Sequence, residues 1–107
     1  MRRTVVLLCT LLAVPAAAQS SFVNYETPHV HPLDLTPDGS LLLAVNTGAG
    51  VLELLDSSGP GLVPLGSVAV GVDPVSVRAH GDGEAWVVNH VSDSVSIVDL
   101  ATRRVRA

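Results

Sequence analysis

Two imidazoles stand two residues apart in Thr27-Pro28-His29-Val30-His31-Pro32-Leu33-Asp34. On an extended strand alternate side chains share a face, so His29 and His31 are placed where both could bind one metal ion. A tetrahedral zinc site needs three or four ligands. Spacing fixes no third one, because Asp34 is out of phase with the pair unless Pro32 bends the strand. The competing reading is a rigid, Pro-flanked loop whose imidazoles bond to backbone. The assignment is therefore no metal site, with His29 and His31 as the candidate ligands. His80 and His90 recur near strand ends with Asp82 and Asp93, where they would form a polar rim. His90 and Ser92-Asp93-Ser94 contain the residue types of a hydrolytic triad. No Gly-x-Ser-x-Gly elbow accompanies them, and no spacing enforces triad geometry. Gly48-Ala49-Gly50 lacks the Lys of a phosphate loop. Cys9 is the single cysteine, and no Cys-x-x-Cys-His haem attachment is present. No catalytic residue and no cofactor is assigned. Six Arg and no Lys stand against ten acidic residues, a net charge of −4. That balance excludes a nucleic-acid partner, which requires clustered positive charge.

The elements that would position these residues begin after an address segment. Arg2 and Arg3 precede an apolar run over residues 5–14; Pro15 and Ala16-Ala17-Ala18 follow it. Charge, apolar stretch and small-residue cleavage site are the three parts of a secretory signal peptide. The run is too short to span a bilayer, which takes about 20 apolar residues. Residues 1–18 are expected to be removed on export to the periplasm, cell envelope or medium. Cleavage also takes Cys9 and leaves no membrane span. Residues 19–107 then carry four Arg against ten acids, a net charge of −6.

The remainder repeats. Asp38-Gly39 is echoed by Asp82-Gly83 at a displacement of 44, Val45-Asn46 by Val88-Asn89 at 43, and Asp56 by Asp99 at 43. Leu33 and Leu35 alternate with Asp34 and Thr36, and Val75, Val77 and Ala79 with Ser76, Arg78 and His80. Period-two alternation marks half-buried strands. Residues 41–45 and 85–88 are near-continuous apolar runs, suited to strands covered on both faces. Residues 63–70 read as an outer strand, since Pro64 cannot donate to a ladder. Arg103-Arg104-Val105-Arg106 reads as the start of another outer strand. Trp86 reads as a packing anchor, and Phe22-Val23-Asn24-Tyr25 as one more strand. No helical period follows residue 18. A period of 40–45 residues with several strands per unit is the signature of a propeller blade. The expected fold class is all-β, with about two four-stranded antiparallel β-propeller blades, the second incomplete. The divisions are 1–18 signal peptide, 19–31 lead-in strand and loop, 32–72 blade one and 73–107 blade two. Asp38, Gly39, Asn46, Asp56, Asp82, Gly83, Asn89 and Asp99 are expected to be structural, because turns and strand ends use these types for backbone reasons.

Gly71-Val72-Asp73-Pro74, Asp82-Gly83, Trp86-Val87-Val88-Asn89 and Ser94-Val95-Ser96-Ile97-Val98-Asp99 resemble the YVTN family of β-propeller repeats. Pro37-Asp38-Gly39, Val45-Asn46 and Asp56 carry the likeness in the first unit, which departs by having no aromatic before Val45. The resemblance covers 28–107. It implies an exported, non-catalytic binding or envelope scaffold, since family members include secreted surface-layer proteins. The alternative is the N-terminal part of a propeller enzyme or redox protein, lactonase-like or cytochrome-associated, with active residues beyond 107. Ring closure takes at least about four blades. The expected partners are therefore an unidentified ligand or protein, together with further blades in cis or self-association to close the ring.

Overall fold

The alternating segments form eight strands and no helix among residues 28–107, the residues that the computed structural model describes. The signal-peptide assignment over 1–18, with Cys9, and the strand expected at Phe22–Tyr25 lie outside them. Strands β1 (Leu33–Leu35), β2 (Leu41–Asn46), β3 (Val51–Asp56) and β4 (Val63–Ala69) form one antiparallel sheet in chain order. Strands β5 (Pro74–Ala79), β6 (Glu84–Asn89), β7 (Ser94–Asp99) and β8 (Arg104–Val105) form a second sheet in the same order. The described residues are all-β, with two four-stranded antiparallel sheets.

Register decides which side chains meet. Leu43 pairs with Leu54, and Val45 with Leu52, which in turn pairs with Val68. These five side chains line one face of sheet one. They pack against Val77, Ala85, Val87, Val98 and Leu100 of sheet two to make one core. Burying a Leu or Val of this kind contributes about 1.5–3 kcal/mol. Pro64 and Gly66 lie on β4, which is an edge strand. Pro64 pairs with Leu55 and Gly66 with Leu54, so Leu65 is an extra residue in a bulge. Gly66 takes φ 141° there, a conformation that glycine adopts without strain.

Three strands differ from the sequence reading in the faces they bury. Leu33 and Leu35 point away from sheet two and are about half exposed. Asp34 pairs with Leu43, so it is the carboxylate that faces sheet two, where it accepts from the Ala79 N–H at 2.8 Å. A buried N–H needs an acceptor, and Asp34 supplies one. Strands β2 and β6 are each covered on one face rather than on both, because no third sheet is present among the described residues.

The sheets are also joined by polar contacts. The Val30 and His31 N–H groups donate to the Val75 carbonyl, and the Val77 N–H donates to the His31 carbonyl. His31 thereby forms a one-residue parallel bridge with Ser76. The buried Thr47 hydroxyl donates to the Pro74 carbonyl at 2.7 Å. The Arg103 guanidinium, in the turn before β8, donates to the Leu65 carbonyl at 3.0 Å.

Candidate interaction surface

Asp38, Asn46, Asp56 and Asp99 each accept backbone N–H groups from the turns that follow them. Asp38 Oδ1 accepts from the Ser40 N–H at 2.9 Å, the Thr36 hydroxyl at 2.7 Å and the Ser40 hydroxyl at 2.8 Å. The Ser40 N–H first, then the two hydroxyls, hold its carboxyl below the ordinary carboxylate value of 3.8. Asp56 Oδ1 accepts from the Ser58 hydroxyl and N–H, and these lower its pKa in that order. Asp99 accepts from the Ala101 and Thr102 N–H groups. Asn46 accepts from the Ala49 N–H at 3.1 Å.

The second turn is built differently from the first. The first runs from the Thr36 N–H to the Leu41 carbonyl; the second runs from the His80 N–H to the Glu84 carbonyl and is one residue shorter. The left-handed glycine is Gly39 in the first turn (φ 74°) and Gly81, not Gly83, in the second (φ 73°). Asp82 does not brace its own turn. Its Oδ1 accepts from the Asp38 N–H at 3.0 Å and ties the two turns together. Asn89 is fully buried, and its amide donates to the Ser94 and Ser96 hydroxyls.

The two candidate ligands sit apart in function. His29 is exposed in the coil before β1. His31 is half-buried, and its Nδ1 lies 3.1 Å from the Val77 carbonyl, so that nitrogen donates its proton to backbone. The Asp34 carboxylate is engaged by the Ala79 and Leu35 N–H groups. Among the described residues no group of three or more His, Cys, Asp and Glu is placed to hold a metal ion.

One feature open to a partner is the outer face of sheet two. Trp86 on β6 pairs with Arg78 on β5 and with Ile97 on β7; Val88 pairs with Ser76 and Val95. Trp86 and Val88 are each 44% exposed and Val95 48%. The indole is held in place. Its Nε1–H donates to Glu84 at 2.8 Å, and the His80 ring lies 5.5 Å from it at 42°. Glu84 also pairs with Arg106 beyond β8. The face is an apolar floor with a fixed aromatic, bordered by Arg78. It holds no nucleophile–base pair. Its chemistry is the covering of apolar surface, and a covered Trp is a typical binding anchor.

Sequence reasoning placed Trp86 as a packing anchor, and here it lies on the uncovered side of its strand. Reasoning from sequence missed Asp34, Thr47 and Arg103 as struts between the sheets. Asp34 and Thr47 sit in alternating or turn-like contexts that read as solvent-facing, and it is the neighbouring sheet that supplies the Ala79 N–H to Asp34 and the Pro74 carbonyl to Thr47. No helix of the described residues is long and apolar enough to cross a membrane. No protein-family model matches the chain, and no curated protein is similar to it.

Proposed function

We propose that the chain is an exported β-propeller repeat protein of YVTN type that acts as a non-catalytic binding or envelope scaffold. One observation carries this reading. Two meander sheets, one per repeat of about 43 residues, stack face to face, and each leaves a second apolar face uncovered. Sheets stacked in this way about a common axis make a propeller. The engagement of Asp38, Asp56 and Asp99 by their own turns also favours a scaffold, since those carboxylates hold backbone in place. The 5–14 apolar run and Ala16-Ala17-Ala18 supply the export. The test is fractionation of cells expressing the chain, with N-terminal sequencing of the product. An envelope or periplasmic product beginning at Gln19 is expected. A cytoplasmic product that retains residues 1–18 overturns the export reading.

A further inference from the structure

We propose that the Trp86 face of one copy of this chain docks head to tail on the Leu33/Leu35 face of a second copy. The proposal rests on the stacked-repeat reading above and names the surfaces that meet. It follows from comparing the two repeats position by position in the sheet register. Leu43, Val45, Leu52 and Leu54 are the residues that sheet one buries against sheet two. At a displacement of 43 their counterparts are Trp86, Val88, Val95 and Ile97, the outer face of sheet two.

The reverse comparison agrees. Sheet two buries Val77, Ala85, Val87 and Val98 against sheet one. Val77 pairs with Val87 as Leu33 pairs with Ala44, and Ala79 pairs with Ala85 as Leu35 pairs with Leu42. The counterparts are therefore Leu33, Leu35, Leu42, Ala44 and Leu55, the outer face of sheet one. The interface inside the chain thus joins two different faces, and the chain presents the unused counterpart of each. A contact between unlike faces is heterologous: each copy that docks exposes the same face again, and the series ends by closing into a ring or continues as a filament.

Charge agrees with this pairing. Glu53 shares the outer face of sheet one with Ala44; on that of sheet two, among the described residues, Glu84 is paired with Arg106, which leaves exposed Arg78 beside Trp86 as the unmatched charge. Opposite signs on the two faces favour their meeting and oppose like-to-like pairing. A Trp that is half open while its ring is already fixed by Glu84 and His80 loses little freedom on docking.

The test is light scattering coupled to size exclusion on the purified full chain over a concentration series, with Trp86→Arg and Leu35→Arg variants. Wild type is expected above monomer mass. Each variant alone is expected to be monomeric, since each lacks one of the two faces. An equal mixture is expected to double its apparent mass, because the variant with an intact Leu35 face receives the one with an intact Trp86 face. Circular-dichroism melts check folding; if either variant is unfolded, Val95→Arg or Leu33→Arg replaces it on the same face. Wild type that stays monomeric throughout, or a mixture that stays monomeric, overturns the docking. An open-ended filament would keep the docking and defeat the ring, and the export result is read independently of both.

Discussion

Replacing Leu54 by Ala probes the contact that holds the two sheets together. Leu54 is 1% exposed and pairs with fully buried Leu43 in the middle of the core. The substitution removes three carbons, or about 2.4 kcal/mol at roughly 0.8 kcal/mol per buried methylene. Incomplete collapse of the space left behind brings the loss to about 3–4 kcal/mol. A domain of about 80 residues has a total stability of about 4–12 kcal/mol. The variant should therefore lose a large share of it, with Tm falling by about 12–32 °C. Leu35→Ala is the matched control. It removes the same atoms from a side chain that is 50% exposed on the opposite face, and at concentrations where the chain is monomeric it should cost about 1 kcal/mol or less. Urea unfolding followed by far-ultraviolet circular dichroism measures both. Equal losses for the two variants would refute the reasoning, because they would mean that sheet one does not bury the Leu54 face in preference to the Leu35 face.

The two glycines of the second turn should respond in opposite ways. Gly81→Ala forces a side chain to φ 73° and should cost about 1–2 kcal/mol, whereas Gly83→Ala, with open space around its Cβ and no positive φ, should be neutral or mildly stabilising by urea midpoint. The acid limb of stability should depend on Asp38 and Asp56. Both carboxyls titrate below 3.8 in the folded chain, so their contribution is fully present above the unfolded value and is lost as pH falls through the folded one. Asp38→Asn combined with Asp56→Asn keeps an acceptor oxygen but no titrating proton, and the difference in urea midpoint between about pH 6 and about pH 2.5 should shrink relative to wild type. An unchanged difference would remove these turns from the acid response.

The strands and their order were legible because local signals set them. Alternation at Val75, Val77 and Ala79, the Asp-Gly turns and the Asp56/Asp99 strand ends each act within a few residues. Pro64 likewise marks an edge strand without any knowledge of neighbours, whereas the bulge at Leu65 emerges only from the pairing with β3. What was not legible depends on which sheet lies beside a residue. Asn46 and Asn89 occupy the same repeat position, yet Asn46 is exposed and caps a loop while Asn89 is buried on serine hydroxyls.

The same cause explains Leu33, Leu35 and Trp86. Alternation divides a strand into two faces, but in a stack of sheets both faces are apolar, so no residue pattern tells which one is covered. Asp34 shows how far this goes, because the polar member of the β1 alternation is the one turned toward the second sheet. The single-residue difference between the two turns has a similar effect. It moves the left-handed glycine from the second position of Asp-Gly in the first turn to the position before Asp82 in the second. Asp82 is then free of its own turn and bonds the neighbouring one. A repeat in sequence is thus not a repeat in environment: the residues that one sheet buries against the other have exposed or half-exposed counterparts on the other sheet's outer face.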